Sequence, residues 1–377
     1  MGLTLADLLE RHWPAYQRKH SKHLCSAHYR AVRSVLQCRT PALGGRLYRC
    51  ADCKQPHFAY HSCNHRSCPQ CGAASQQAWS AKQEARLLPV DYFMVTFTLP
   101  SELRSLCAKH PRVLYDLLLT QSATALKNLI ATKHQGAECG FISVLHTWGR
   151  QLQHHPHVHL IVPSALFKRN TDELVHPSQT NGKSDFLIHF RPLAMHFRYL
   201  IGQALQQQHP EIYQQLSAEQ LQSLQPSKTW NVQLQQVGRG RSAIRYLARY
   251  VQKSGYTDKR LIGYTADGKG VLLRWTCSNT GKLGVLRLSI EEFIRRWLIH
   301  TLPKGFARVR HYGFLSAAAK KTRLRIRILL GAAAEAQVVA EPQDHACPHC
   351  NSGKLHFLRE LPRCRPLRGP PKALSIS

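Results

Sequence analysis

Four histidines lie within six residues at the start of the segment HHPHVHLIVP, residues 154–163. The second half of this segment has the apolar character of a β-strand. Residues two apart in a strand point to the same face, so His157 and His159 project together. Two such imidazoles can hold one divalent cation if a neighbouring element supplies a third ligand. His146 on the preceding predicted strand is the first candidate, with Gln151 or Gln153 behind it. The first two histidines of the segment are expected in the turn before the strand. Alone, a His-x-His pair is a weak indication, because such pairs also occur in purely structural roles.

Two tyrosines four residues apart lie in a predicted helix, SAIRYLARYVQK, at residues 242–253. At about 100° per residue, Tyr246 and Tyr250 share a face that points away from the apolar arc of the helix and toward its basic side. Tyrosine pairs on helices usually pack half-buried. A phenol can also attack a phosphodiester when a Lewis acid polarises the phosphate and cations stabilise the developing charge. The cations on this helix are Arg245, Arg249 and Lys253. The histidine pair and the tyrosine pair therefore fit one mechanism.

Cysteines are concentrated near the N-terminus: of 13 in the chain, six fall within the 34 residues from Cys38 to Cys71. In a reducing cytoplasm such crowding favours metal ligation over disulfides. The knuckles Cys50-x2-Cys53 and Cys68-x2-Cys71 are separated by 14 residues. This is close to the interval of a four-cysteine site, so we expect a structural zinc ion there. Enough ligands remain for a second zinc ion, but spacing does not decide which of them would bind it. The remaining ligands are Cys63, which we place first, and Cys38, His57, His61 and His65.

The charge of the chain is strongly positive, since 52 Lys and Arg residues face 21 Asp and Glu residues and leave a formal charge of +31. We expect a polyanion to share so large a charge, and nucleic acid is the natural partner. Residues 301–330 contain eight basic residues and no acidic one. No apolar run is long enough to span a bilayer, and the first residues lack a secretion signal. We therefore expect no membrane partner and a cytoplasmic location.

Hydrophobic periodicity predicts an α+β fold with an antiparallel sheet. Strands are predicted in DYFMVTFTLP, FISVLHTW, HVHLIVP and TWNVQLQQV. FISVLHTW and HVHLIVP would form an antiparallel hairpin. We divide the chain into an N-terminal helix with a zinc-binding module (1–85), a central domain with the histidines and tyrosines (86–300), a basic segment (301–330) and a poorly ordered tail with one CxxC (331–377).

The motifs that contain these residues resemble those of transposases of the insertion sequence 91 family, over roughly residues 5–330. In chain order they are CRTPALGG, SCNHRSCPQC, FMVTFTLP with SELRSL, LHTWG, HPHVHLIVP, VGRGRSAIRYLARYV and FIRRWLIHTLPKGFARVRHYGF. So many motifs in one order make the resemblance specific. These proteins are rolling-circle transposases of the two-tyrosine HUH type, in which U is a hydrophobic residue. One departure concerns Ser67, which stands where the family pattern usually has a histidine; His65 lies nearby, and this leaves a second metal site open.

The resemblance implies that His157 and His159 hold a catalytic Mg²⁺ or Mn²⁺ and that Tyr246 and Tyr250 are the nucleophiles. It also implies an antiparallel HUH palm with the hairpin 141–162 at its centre. A structural Zn²⁺ on the N-terminal cysteines is implied as well, as is DNA that is single-stranded at the element ends and the target. The basic 301–330 segment would bind DNA as well, mainly through phosphates. The residues that we name there are Lys304, Arg308 and Arg310.

Two other functions would use some of these residues. A plasmid-type replication initiator or relaxase would share the chemistry and differ in its substrate. A non-catalytic, zinc-containing DNA-binding regulator would explain the charge and the cysteines but would leave the histidine and tyrosine pairs as coincidences. The CPHC motif near the C-terminus, with Cys347 and Cys350, lies beyond the shared region. It has only Cys364 beside it, and its sequence leaves open whether it binds a zinc ion.

Overall fold

The structure of the chain is a computed structural model. It describes residues 2–175, 179–180, 183–184, 188–251, 255–277, 280–332 and 346–364. Two units are formed: the first contains residues 1–72, 257–261 and 339–377, and the second contains residues 73–256 and 262–338. None of the described helices combines the length and the apolar character that crossing a bilayer requires.

The helices and strands are numbered in chain order. The helices are α1 (Leu5–His20), α2 (Ser26–Gln37), α3 (Ala73–Glu84), α4 (Arg104–Lys109), α5 (Pro111–Lys133), α6 (Phe190–Gln208), α7 (Pro210–Tyr213), α8 (Ala218–Ser223), α9 (Arg241–Val251), α10 (Ile290–Leu298) and α11 (Lys320–Leu329). The strands are β1 (Gly45–Cys50), β2 (Pro56–Tyr60), β3 (Tyr92–Thr98), β4 (Phe141–Trp148), β5 (His154–Pro163), β6 (Leu166–Lys168), β7 (Glu173–Val175), β8 (Gln179–Thr180), β9 (Lys183–Ser184), β10 (Val232–Gln236), β11 (Leu261–Tyr264), β12 (Gly270–Thr276), β13 (Leu283–Ser289), β14 (Val309–Tyr312) and β15 (Leu355–Leu361).

The first unit begins with α1, whose N-terminus is fixed by a capping box. The Asp7 amide donates to the Thr4 hydroxyl oxygen at 3.2 Å, and the Thr4 amide donates to the Asp7 carboxylate at 2.9 Å. Leu5, Leu8 and Leu9 lie on one side of the helix and are fully buried. The N-terminal helix predicted from the sequence is therefore present.

A three-stranded antiparallel sheet of order β15-β1-β2 completes the first unit. Its edge strand β15 pairs with β1 from Gly45 opposite Leu361 to Cys50 opposite Leu355. The predicted poorly ordered tail is therefore wrong for residues 346–364. Their order comes from backbone pairing with a strand some 300 residues earlier in the chain, and no local pattern in the tail reveals such pairing.

The second unit contains a five-stranded antiparallel sheet of order β10-β3-β5-β4-β14. The predicted hairpin of β4 and β5 is present and lies inside this sheet, with β3 and β14 on its two sides. The α+β class and the antiparallel sheet are thereby confirmed. In this register Thr96 lies opposite His159, and Thr98 and His146 both lie opposite His157.

The two faces of the five-stranded sheet are covered by different helices. On one face, Val158 and Leu160 of β5 belong to an apolar core that includes Leu118 of α5 and Phe197 of α6. On the other face, Val144 of β4 and Ile161 of β5 belong to a core that includes Ile244 and Leu247 of α9. Because strand side chains alternate, the paired histidines of β5 share the face with Ile161. Helix α9 is therefore packed on the histidine face.

The basic segment 301–330 is folded into the second unit. Its strand β14 forms the edge of the five-stranded sheet, with Val309 opposite Val144 and Tyr312 opposite Phe141. Its helix α11 buries Ile326. The predicted boundary at residue 300 therefore does not separate an independent segment, since strand pairing and apolar burial both cross it.

Candidate active site

Three histidines from neighbouring strands meet on the α9 side of the five-stranded sheet. Candidate ligand atoms of His146, His157 and His159 all lie within 4.8 Å of one another. Their ring centroids are 4.6 Å (146–159), 4.9 Å (157–159) and 5.2 Å (146–157) apart. The antiparallel register explains this arrangement, because it puts His146 directly beside His157. The three residues chosen from the sequence as one metal-binding set are thus brought together.

Hydrogen bonds at Nδ1 orient two of these imidazoles. His157 Nδ1 lies 2.7 Å from the carbonyl oxygen of His155. Since a carbonyl only accepts, Nδ1 carries the proton and Nε2 keeps its lone pair. His159 Nδ1 lies 2.8 Å from the hydroxyl of Thr96. Nε2 of His159 is buried and has no hydrogen-bond partner among the described residues. Such a buried nitrogen is well suited to bind a metal ion.

Burial keeps all three rings neutral. It lowers the pKa of His157 to about 4, helped by the charge of His155 and opposed by the hydrogen bond to the His155 carbonyl. Burial, together with the neighbouring histidines, places the pKa values of His146 and His159 well below the usual 6.5. A neutral imidazole is the form that ligates metals, so near pH 7 the site needs no deprotonation before it binds a cation.

Of the two predicted nucleophiles, the structure describes the side chain of Tyr246, which faces the histidines. Its ring centroid lies 6.3 Å from that of His159, edge to face, and its side chain is 41% exposed. A cavity of about 800 Å³ is lined by Tyr246, His157 and His159. Tyr250 lies one turn further along α9, but its side chain is outside the described residues, as is all of Lys253.

The basic residues proposed for DNA contact have unequal surroundings. Arg245 is exposed and makes a two-point ion pair with Glu84, with both N–O distances at 3.1 Å, and Arg249 is exposed. Arg308, by contrast, is 3% exposed and lies 5.3 Å above the Trp148 ring. A buried guanidinium stacked on an indole is not placed for a phosphate contact, and a role of Arg308 in DNA binding stays a prediction.

The other two basic residues that were named differ in the same way. Lys304 is exposed. Arg310 is half-buried, pairs with Asp116 and lies 5.8 Å from the centre of the Phe306 ring. Of the pair, only Lys304 has a surface position that suits a phosphate contact.

His154 and His155 lie in β5 and not in a turn, which corrects the expectation for the start of the segment. His154 Nε2 lies 2.9 Å from the Tyr115 hydroxyl, and burial lowers the pKa of His154 to about 4. His155 Nδ1 lies 3.1 Å from the Arg104 guanidinium. The strand begins earlier than predicted because these side chains find partners on α4 and α5.

Sequence reasoning did not identify Thr96 or Phe190 as site residues. Thr96 holds His159, and Phe190 lines the cavity with 40% of its side chain exposed. The alternation of β3 could have placed Thr96 on one face with Thr98, but only the strand pairing sets it opposite His159. Phe190 is the first residue of α6, far from the histidines in sequence, and no spacing signal marks it.

The cysteines form two clusters in the first unit, and not the single site predicted from the spacing of the knuckles. Within each cluster the sulfur atoms lie within 4.8 Å of one another. The first cluster is Cys38, Cys63, Cys68 and Cys71; the second is Cys50, Cys53, Cys347 and Cys350. Of the described histidines, none joins either cluster, so the spare residues His57, His61 and His65 are not placed as ligands.

The backbone explains why the two N-terminal knuckles separate. The Arg39 amide donates to the His61 carbonyl at 3.1 Å, and the Cys63 amide approaches Cys38 Sγ at 3.5 Å. These contacts bring Cys38 and Cys63 together beside the second knuckle, and Cys63 Sγ lies 3.6 Å from Cys71 Sγ. Hydrogen bonds from neighbouring thiols lower the pKa of Cys71, so one member of the cluster is readily a thiolate.

Comparison with known proteins identifies the family. The family model described as "Putative transposase" matches residues 140–323, and the one described as "Transposase zinc-binding domain" matches residues 8–99. The "Putative transposase y4qJ" of Sinorhizobium fredii (strain NBRC 101917 / NGR234) is 32% identical over 384 residues, which is 94% of each chain. The "Transposase for insertion sequence element IS801" of Pseudomonas savastanoi pv. phaseolicola is 31% identical over 302 residues, covering 76% of this chain and 69% of that one. No solved structure matches the chain significantly. The protein therefore belongs to the insertion sequence 91 family of transposases.

Proposed function

We propose that the protein is a rolling-circle transposase that nicks single-stranded DNA at the ends of its element and transfers strands through a covalent phosphotyrosine. The observation that carries this proposal is the position of Tyr246, whose ring lies 6.3 Å from that of His159 in the wall of the same cavity. A phenol beside a metal-binding set of imidazoles is what tyrosine attack on a phosphodiester requires. The five-stranded sheet would then be the HUH palm, and the enzyme would act on DNA in the bacterial cytoplasm.

The divalent metal ion would be held by His146, His157 and His159. The buried Nε2 of His159 supports this fit, as does the Nδ1 hydrogen bond that leaves His157 Nε2 as a ligand atom. When bound, the ion would polarise a phosphate oxygen and stabilise the negative charge that develops there. Among the described residues no carboxylate joins the cluster. Mg²⁺ prefers oxygen ligands, so of the two expected ions Mn²⁺ suits an all-imidazole set better.

The bond-making atom would be a tyrosine hydroxyl oxygen. Tyr246 Oη would lose its proton and form a bond to phosphorus, and the bond from phosphorus to the 3′-oxygen of the adjoining nucleotide would break. That oxygen takes up a proton, which leaves a 5′-phosphotyrosine and a free 3′-hydroxyl. Since the number of phosphodiester-type bonds is unchanged, another 3′-hydroxyl can reverse the step on a different strand. Tyr250 would make the second cleavage while the first link is kept.

The cavity is suited to a single strand more than to a duplex. His159 is only 6% exposed, so a phosphate must enter the recess to approach it. Phe190, 40% exposed at the same cavity, would stack on a base near the scissile phosphate. The exposed cations Arg249 and Lys304 and the overall charge of +31 would neutralise phosphates along the strand.

The zinc-binding domain would be stabilised by a zinc ion on the first cysteine cluster, Cys38, Cys63, Cys68 and Cys71. Four cysteine sulfurs make the closed ligand set of a structural zinc site, which contributes to folding and leaves no open position for catalysis. This zinc would therefore be separate in function from the metal on the histidines.

The proposal is tested by trapping the covalent intermediate. End-labelled single strands from the element ends are incubated with the protein and Mn²⁺, and the SDS-resistant protein–DNA adduct is quantified. We expect the Tyr246→Phe, Tyr250→Phe double variant to form no adduct. Tyr199→Phe is the matched control, because Tyr199 is similarly exposed on α6 and is not among the residues that line the cavity.

An undiminished adduct in the double variant would refute the nucleophile assignment. An adduct formed only with strands from a plasmid origin would indicate a replication initiator or relaxase. Absence of an adduct with the unmodified protein, across these strands and with either Mn²⁺ or Mg²⁺, would favour a non-catalytic regulator.

A further inference from the structure

The second cysteine cluster joins the two ends of the chain. Cys50 is the last residue of β1 and Cys53 lies in the turn after it, whereas Cys347 and Cys350 precede β15. Cys50 Sγ lies 3.6 Å from Cys350 Sγ, and Cys53 Sγ lies 3.7 Å from Cys347 Sγ. Four sulfurs tetrahedrally placed about one zinc at about 2.3 Å are about 3.8 Å from each other. The observed spacing therefore matches that of four thiolates around a single zinc ion.

The two knuckles of this cluster have the same internal geometry. In each, the amide two residues after the first cysteine approaches its sulfur at 3.4 Å: Asp52 N to Cys50 Sγ, and His349 N to Cys347 Sγ. The residue after each second cysteine has a left-handed backbone, with φ of 59° at Lys54 and 58° at Asn351. The two turns therefore have the same shape, and each contributes two of the four sulfur ligands.

Backbone contacts hold the two knuckles in register. The Ala51 amide donates to the Lys354 carbonyl at 2.9 Å, directly beside the β1–β15 ladder. A Cβ placed on Gly353 would lie 2.3 Å from Cys50 Sγ, so glycine permits the close approach of the C-terminal knuckle. Cys50 and Cys347 are 1% and 0% exposed. Four thiols gathered this closely, two of them almost fully buried, are placed to share one metal ion.

We propose that Cys50, Cys53, Cys347 and Cys350 bind a second structural zinc ion, which clamps the C-terminal strand β15 onto the N-terminal sheet. The first unit then holds two zinc ions, one within the N-terminal segment and one shared between the two ends of the chain. Residues 346–364 become part of the zinc-binding unit, since both the metal and the β1–β15 pairing retain them. This inference is independent of the chemistry at the histidine cluster, because it concerns other ligands and another unit.

The zinc content of purified full-length variants tests the clamp. We expect Cys347→Ser, Cys350→Ser to bind one zinc ion per chain fewer than the unmodified protein, and Cys50→Ser, Cys53→Ser to lose the same single ion. Cys364→Ser is the matched control, because Cys364 is exposed in the same C-terminal segment and belongs to neither cluster; its zinc content should be unchanged. An undiminished zinc content in the Cys347, Cys350 variant would overturn the proposal.

Cysteine alkylation, read by peptide mass spectrometry, remains informative if a variant is poorly stable. In the unmodified protein all eight cluster cysteines should be protected. In the Cys347→Ser, Cys350→Ser variant, Cys50 and Cys53 should become reactive while the cysteines of the first cluster stay protected. If Cys50 and Cys53 stayed protected in this variant, their metal site would not depend on the C-terminal cysteines and the proposal would fail.

Discussion

Thr96→Val tests whether a hydrogen bond on β3 prepares His159 to bind the metal ion. The Thr96 hydroxyl lies 2.8 Å from His159 Nδ1, on the ring edge away from the buried Nε2. Valine has nearly the same shape but cannot accept the Nδ1 proton. The ring would then lose the contact that fixes its tautomer, and a buried N–H would be left without a partner.

The expected loss of Mn²⁺ affinity follows from what a hydrogen bond to a ligating histidine contributes to metal binding. Removing a hydrogen bond to a metal-ligating histidine typically weakens metal affinity about 10- to 100-fold, which corresponds to about 1.4 to 2.7 kcal/mol. A value in the upper half of this range is expected here, because His159 is only 6% exposed and water has little access to replace the hydroxyl. Thr96→Ser, which keeps the hydroxyl, should restore most of the affinity.

Isothermal titration with Mn²⁺ measures the effect directly. Thr98→Val is the matched control: Thr98 lies two residues along the same face, opposite His157, whose Nδ1 is already held by the His155 carbonyl. We expect the control to bind Mn²⁺ as the unmodified protein does. The rate of adduct formation in Thr96→Val should recover at saturating Mn²⁺, which a general loss of structure would not allow. Equal Mn²⁺ affinity in Thr96→Val and the unmodified protein would refute the argument.

Two further predictions concern pH and DNA. The pKa of His157 is lowered to about 4. Between pH 6.5 and 4 the unfolded chain therefore binds a proton at this residue and the folded chain does not, so the free energy of unfolding decreases as the pH falls through this window. Urea unfolding without added Mn²⁺ should show that this residue lowers the free energy of unfolding by about 2 kcal/mol between pH 7 and 5. A His157→Gln variant with the same pH dependence as the unmodified protein would contradict this prediction. Phe190→Ala should weaken single-stranded DNA binding by about 1 to 3 kcal/mol, as expected for a lost stacking platform. Fluorescence anisotropy would measure this, with Tyr199→Ala as the exposed aromatic control; equal effects of the two substitutions would count against stacking at the cavity.

Short-range patterns accounted for the central part of the candidate site. Strand alternation alone predicts that His157 and His159 share a face, and helical periodicity predicts that Tyr246 and Tyr250 point away from the apolar arc. Both rules depend only on neighbouring residues, and the described structure agrees with them for His157, His159 and Tyr246. The antiparallel α+β fold was predictable for the same reason, because each element has its own hydrophobic period.

Contacts between distant segments decided what those patterns could not. Strand register put His146 beside His157 and Thr96 beside His159, and packing on Trp148 buried Arg308, which sequence had assigned to DNA. The cysteines show the reason most clearly. Spacing indicates which cysteines form a knuckle, since a CxxC turn is local. The partner of each knuckle depends on which strands pair, and β1 pairs with β15 across nearly the whole chain. Cys50 and Cys53 therefore meet Cys347 and Cys350 and not their near neighbours Cys68 and Cys71.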